Sequence, residues 1–310
     1  MNLGRRLLFL LGAAGCTLLL MYGAGLAGPA GLFLNLLLPL PVAFVVMRCG
    51  LAVGGGAVAL ACLGLLGGGD PAAVGSYLLQ FGLGSLLLPG LLRRGVAWNR
   101  AVTWTVLGVV AATAATLAGY AAWQGTSLHI LVDGYVKSEL DQAMQIYRSA
   151  NLPPDQLAEF SALAKRTGAF LLRAYPGLAV VVSGLLQMLT LLLLSALSRG
   201  RYLIPGPGFR QWRANELLIW PLIAAGFGLA FGQGLAATVA LNLLTVLLPI
   251  YFLQGLAVVS YFFARKGISP LLRAVGYLLI TVLNPLPLIV TGIGVFDLWA
   301  DFRKPRIKKT

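Results

Sequence analysis

The chain has 310 residues, 59% of them hydrophobic and only 10% charged, with a mean hydropathy of +0.87. A soluble domain carries about 25% charged and about 45–50% apolar residues, so an ordinary soluble enzyme is excluded. The 23 basic residues outweigh 9 acidic ones, for a net charge of +14. In a chain this apolar, such an excess marks the loops on one side of a membrane rather than nucleic-acid binding.

A helix needs about 20 apolar residues to cross a bilayer. In chain order, the apolar runs predict spans at Leu7–Ala27, Gly31–Met47, Leu51–Gly67, Ala72–Leu92, Ala101–Trp123, Ala174–Leu197, Leu217–Phe231 and Ala236–Phe263, with a last stretch at Pro270–Trp299. The first run has a basic start and small residues at Gly25-Leu26-Ala27, the anatomy of a signal peptide. It continues into the second run with almost no loop and is read as an uncleaved first helix.

Basic residues translocate poorly, which sets the orientation. Arg5 and Arg6 hold the N-terminus inside, followed by Arg48, then Arg93, Arg94 and Arg100, then Arg199, Arg201, Arg210 and Arg213, and then Arg265, Lys266 and Arg273. Asp70 and the polar segment 124–173 fall outside. That outer side holds five basic and six acidic residues, so the whole positive excess lies inside.

A ninth single span would export Arg303, Lys304, Arg306, Lys308 and Lys309 against this trend. Asn284-Pro285-Leu286-Pro287 offers a break, because two prolines remove two backbone donors. Leu271–Leu283 and Leu288–Trp299 are therefore read as two short helices of a hairpin that returns the tail inside. The alternative is one kinked helix with an exported tail.

In the outer segment, Leu128, Val132, Tyr135, Leu140, Met144 and Tyr147 recur at helical spacing. A turn at Asn151–Asp155 then leads into a second stripe of Leu157, Phe160, Ala164, Thr167 and Leu171. This predicts two amphipathic helices on the outer surface. A solvated connector, a lid over an outward-facing site and a partner-docking hairpin are the readings it leaves open.

The fold expectation is all-α: a polytopic transmembrane bundle of about eight full spans, a proline-broken C-terminal hairpin and an external amphipathic segment. Its parts are 1–123, 124–173 and 174–310.

No P-loop, H-E-x-x-H or G-x-S-x-G pattern occurs. His129 is the only histidine, and Cys16, Cys49 and Cys62 read as apolar packing residues. No enzymatic activity, catalytic residue, metal site or cofactor is expected. Intramembrane polar residues carry more information, because each is costly in lipid: Asn35, Gln80, Gln187, Asn242, Gln254 and Asn284. Amides suit a neutral or zwitterionic solute, or they join helices. Asn35 and Gln80 lie near mid-span, and with Tyr77 one turn from Gln80 they form the expected ligand-binding set. Near span ends, Arg213 and Arg303 are placed to pair with Glu216 and Asp297. Phe209, Arg210, Trp212 and Arg213 form the densest polar-aromatic pattern, read either as headgroup anchors or as a partner interface.

Phe209-Arg210-Gln211-Trp212-Arg213, the span Leu217–Phe231 and the closing run Gly292–Lys304 resemble the YybS-like family of uncharacterised bacterial membrane proteins. Pro39-Leu40-Pro41, Arg48-Cys49-Gly50 and the glycine-rich third span are also distantly similar to the S components of energy-coupling-factor transporters. That resemblance implies a small-solute binding or transport subunit with no ATPase of its own. Its partners would be the lipid bilayer and a transmembrane coupling subunit with cytoplasmic ATPases. Gly12, Ala13 and Cys16 would form the small-residue face toward that coupling subunit. The resemblance implies a bacterial inner-membrane protein; charge places both termini in the cytoplasm. The alternative is a non-transport scaffold in envelope assembly or cell division. Neither reading involves nucleic acid.

Overall fold

The computed structural model describes residues 2–149, 153–198, 200, 202 and 204–304, without the side chains of 146–149 and 154. The described residues form helices joined by turns and loops, with no strand among them. The helices are α1 (Leu3–Leu26), α2 (Gly31–Asn35), α3 (Pro39–Cys49), α4 (Leu51–Gly67), α5 (Pro71–Tyr77), α6 (Leu83–Arg93) and α7 (Trp98–Trp123). They continue with α8 (Leu128–Ser149), α9 (Pro154–Ser198), α10 (Ile219–Phe231), α11 (Gly234–Arg265), α12 (Pro270–Val282) and α13 (Leu286–Ala300).

Every apolar run predicted to span is helical, but the lengths differ. Six segments are long and apolar enough to cross a bilayer: Leu3–Leu26, Gly28–Cys49, Pro71–Arg93, Trp98–Trp123, Asp155–Ser198 and Gly234–Arg265. At the expected spans Leu51–Gly67 and Leu217–Phe231 the helices, Leu51–Gly67 and Glu216–Phe231, are no longer than 17 residues, the lower limit for spanning. Glycines cut both short, at Gly67-Gly68-Gly69 and at Gly232. The second span is also interrupted. Pro39 and Pro41 lack N–H donors, and the chain turns at Leu36–Leu38 between α2 and α3.

The last stretch breaks where the prolines predict. Helices α12 and α13 meet at Asn284-Pro285 with a bend of 100°. The bend is too sharp for one straight crossing, and each half is too short to cross alone, at 13 and 15 residues. The basic residues Arg306, Lys308 and Lys309 of the tail lie outside the described residues, as do Arg199 and Arg201.

The chain forms two compact units, Met1–Leu131 with Val182–Gly206, and Val132–Val181 with Pro207–Thr310. In the first, Ala13, Val42, Val45, Val46, Ala57, Val58, Ala61, Leu65 and Tyr77 make one core. Small residues on α1 and α4 let these helices approach closely. Helices α3 and α4 are separated by Gly50 alone, at φ +100°, a conformation that a side chain would strain. The Arg93 guanidinium donates to the carbonyls of Val46 and Met47 at 2.9 and 2.8 Å, satisfying the last turn of α3. Arg48 stacks over the Phe9 ring, 4.5 Å from its centroid. Asp70 caps α5 by accepting from the Ala73 N–H.

In the second unit, α8 lies against the N-terminal part of α9, where Gly168 meets Leu140 and Val136. Leu157, Phe160, Ala164 and Leu171 are half-buried along one face. Thr167, expected on that face, is exposed, and the buried position is Gly168. Tyr135 was expected on the apolar face of α8 but is 68% exposed. The predicted turn at Asn151 and Leu152 lies outside the described residues. Helix α9 is 45 residues long and runs unbroken through Arg173. At 1.5 Å per residue that is roughly 68 Å, well beyond a bilayer thickness of about 40–45 Å.

Pro176 interrupts the backbone ladder of α9, and Asn242 of α11 repairs it. The Asn242 side chain accepts from the Gly177 N–H at 2.7 Å and donates to the Arg173 carbonyl at 2.8 Å, replacing the rung these two groups would otherwise share. An amide is the right side chain for this, since it offers an acceptor and a donor side by side.

Candidate functional site

The polar residues singled out from sequence fall into distinct settings. Tyr77, at the end of α5, is 1% exposed inside the first core. A π-turn at Leu78–Gly82 follows it, and Gln80 in that turn is exposed. Tyr77 and Gln80 therefore face opposite ways. Asn35 is half-buried at the end of α2, which packs on α1. No hydrogen bond joins Asn35 to either residue among those described. Gln187 was named only as an intramembrane amide, yet it is fully buried against Gly84 and neither of its amide atoms has a hydrogen-bond partner. The hydroxyls of Thr17 and Tyr77 are likewise buried, and they face each other.

A groove of about 290 Å³ lies between α1 and α3. Gly12 and Ala13 line it together with Leu8, Phe9, Pro41, Phe44 and Val45. A Cβ added at Gly12, or at Gly15 one turn on, would meet nothing within 4 Å. Cys16 on the same helix is exposed.

The second unit carries the most ordered polar arrangement. Asp297 on α13 is fully buried, and the Arg303 guanidinium meets its Oδ2 at 2.5 Å. Gln254 of α11, also fully buried, donates to the same oxygen at 3.3 Å. The other carboxylate oxygen accepts from the Phe302 N–H at 3.2 Å. Asp301 adopts the left-handed conformation at φ +41°, which ends α13 and turns Arg303 back toward Asp297.

The same network grips the loop before α10. Arg303 donates to the carbonyls of Arg210 and Trp212 at 3.0 and 2.8 Å. Gln254 accepts from the Ala214 N–H at 3.1 Å. The pairing of Arg303 with Asp297 anticipated from sequence is present. Arg213 does not pair with Glu216; it pairs with Asp301, which also binds Lys304 at 2.8 Å. Lys304 above all, and then Arg213, hold the Asp301 carboxyl below the usual carboxylate range.

Of the predicted interface residues, Phe209 and Trp212 are half-buried and Arg210 and Arg213 are exposed. Gly208, Phe209, Arg210, Gln211 and Ser260 line a groove of about 370 Å³. Gln254 and Asp297 could be recognised in the sequence as rare polar groups in apolar helices. Their joint hold on a loop 40 residues from Gln254 and more than 80 from Asp297 carried no local signal.

The packing of α11 on α13 explains how a carboxylate can be buried here. A Cβ on Gly294 would sit 1.9 Å from the Tyr251 carbonyl oxygen, and one on Gly255 would sit 1.9 Å from that of Val290. The two backbones touch, and water is excluded beside Asp297.

These helices lie within a recognised sequence family. A family model described as "Predicted membrane protein (DUF2232)" matches residues 15–298. The chain belongs to this family. The DUF2232 match begins midway along α1, takes in the apolar helices after it and Asp297, and ends before Arg303. No curated protein matches the chain, and no solved structure matches it. The DUF2232 chain is thus an integral membrane protein.

Proposed function

We propose that this protein is a non-catalytic subunit of a bacterial inner-membrane complex and receives a transmembrane helix of a partner in the groove between α1 and α3. The observation that carries this reading is the open wall of α1. Gly12 faces space that no described side chain fills, between apolar walls from both helices. Small residues let two helix backbones approach within a membrane, where van der Waals contact replaces the hydrophobic effect. The distant S-component likeness supports the same face, since in those proteins an early small-residue helix meets the coupling subunit. The YybS-like resemblance rests on Phe209–Arg213, the span Leu217–Phe231 and Gly292–Lys304.

Gly12→Leu tests this reading, because the groove has room for the side chain and the fold should tolerate it. In gently solubilised native membranes, the wild-type protein is expected to run as a complex on a native gel, and the Gly12→Leu protein to run alone with an unchanged melting temperature. A wild-type protein that runs alone, or a variant still in complex, rejects the proposal. Oxidation at the exposed Cys16 identifies a second copy of the chain as the partner if it yields a disulfide-linked dimer.

Solute binding is the second reading, and Gln187 favours it. A fully buried amide with no partner has an unmet need for hydrogen bonds that a small polar ligand would satisfy. In this reading the chain would present a solute to the coupling subunit and its ATPases. Metabolite analysis of the purified protein separates the two readings.

The charge asymmetry supports both termini in the cytoplasm and the segment 124–173 outside. In a cysteine-free background, Glu139→Cys and Glu159→Cys are expected to react in intact cells with a maleimide that cannot cross membranes. Leu140→Cys, half-buried against Gly168, should react several-fold more slowly. Labelling of the first two only after lysis would reverse the orientation.

A further inference from the structure

We propose that the groove formed by Gly208, Phe209, Arg210, Gln211 and Ser260 binds the phosphodiester headgroup of an anionic phospholipid. Arg210 is exposed, and none of the described carboxylates pairs with it. Its backbone is nevertheless held fast: Arg303 binds its carbonyl, and the Gln211 N–H donates to the Gly208 carbonyl at 2.8 Å, closing a tight turn. The loop thus presents a free guanidinium from a rigid mount, and little conformational freedom is lost when an anion arrives. A guanidinium suits a phosphate because its fork of donors matches two oxygens.

The surrounding charge favours an anion. From Pro207 to Lys304 there are seven basic residues and three acidic ones. Asp297 is neutralised by Arg303, and Asp301 by Arg213 and Lys304. Arg265 and Lys266 at the end of α11 add to the positive field without a carboxylate partner among the described residues.

The depth and walls of the groove favour a lipid over a free phosphate. Ser260 lies five residues before Arg265 on α11, about 7.5 Å below the charged end of the helix. That is headgroup depth, and the turn of α11 just below it, Leu256 to Val259, is apolar. Phe209 adds an aromatic wall of the kind that sits at membrane interfaces. A phosphate held by Arg210 and the Ser260 hydroxyl could leave its acyl chains along α11, a wall that free phosphate could not use.

Native mass spectrometry of the full-length protein in detergent tests this, with dioleoyl phosphatidylglycerol and dioleoyl phosphatidylethanolamine as probes. The wild-type protein is expected to retain one phosphatidylglycerol in preference to phosphatidylethanolamine. Arg210→Ala should weaken that retention about tenfold, the loss of one charge-assisted contact pair. Arg210→Lys and Ser260→Ala should fall between, and Arg94→Ala in the other unit should match wild type. Arg210→Ala should also melt like wild type, since its guanidinium holds no carboxylate in the protein. Should that variant fail to fold, Arg210→Lys and Ser260→Ala carry the test. Equal retention by wild type and the Arg210 and Ser260 variants overturns the proposal, as does equal binding of the two lipids. Displacement of phosphatidylglycerol by millimolar glycerol 1-phosphate would assign the site to a soluble phosphate and overturn the lipid.

Discussion

Asp297→Ala is expected to lower the melting temperature of the detergent-purified protein on the order of 10 °C, through a loss of about 3–5 kcal/mol. The residue is fully buried, and so is most of the Arg303 side chain, which is 6% exposed. Removing the carboxylate leaves a guanidinium charge in an apolar setting with only the carbonyls of Arg210 and Trp212 to meet it. It also strips Gln254 of its acceptor and Phe302 of the one its N–H uses. Asp297→Asn keeps the shape and an acceptor but loses the charge, and should fall between. The double variant Asp297→Leu, Arg303→Met should be more stable than Asp297→Ala, because it leaves no unpaired charge behind. Thermal unfolding followed by size-exclusion chromatography measures the series. Single variants that melt like wild type would mean that Asp297 is hydrated and that the network does not hold the loop.

Gly294→Ala should be as damaging for a different reason. Its new Cβ would lie 1.9 Å from the Tyr251 carbonyl oxygen and 2.8 Å from the Gly255 nitrogen, so it meets backbone that cannot rotate away. Helices α11 and α13 would have to separate, which costs well above the roughly 1–3 kcal/mol of ordinary overpacking. Gly255→Ala meets the mirror obstacle at Val290. Gly292→Ala is the control: its Cβ would have open space, and alanine is the better helix former by about 1 kcal/mol. The expected result is loss of monodisperse protein for Gly294→Ala and Gly255→Ala, and unchanged or slightly raised stability for Gly292→Ala. Equal behaviour of the three would refute the close backbone contact.

The two effects are linked. The glycine contact brings α13 against α11 closely enough to exclude water, and the dry interface makes the Asp297–Arg303 pair matter. A gap at Gly294 would admit water beside the carboxylate and weaken the hold on Arg210 and Trp212. The loop that lines the groove beside Ser260 thus depends on two glycines deep in the second unit.

The all-helical class, the place of each apolar run and the break at Asn284-Pro285 were legible from sequence. These depend on local composition: apolar residues have no alternative to burial or lipid, and proline removes a donor wherever it stands. The pairing of Asp297 with Arg303 was legible too, since the two are close in the chain at the end of one helix. The rest was decided at longer range. Arg213 lies near Glu216 in the chain but reaches Asp301, because the left-handed turn at Asp301 carries that carboxylate to it. Asn242 reads from sequence as a generic intramembrane amide, and only its position beside Pro176 gives it the task of replacing a backbone rung. Gln80 and Tyr77 share one short helical stretch, and the packing of α5 turns one outward and the other into the core. Hydropathy determines which segments enter the membrane, because solvation energy is a property of each side chain. Which polar atoms meet there is a property of how the helices are rotated and spaced, and that is set by contacts such as Gly255 on Val290 that no single segment contains.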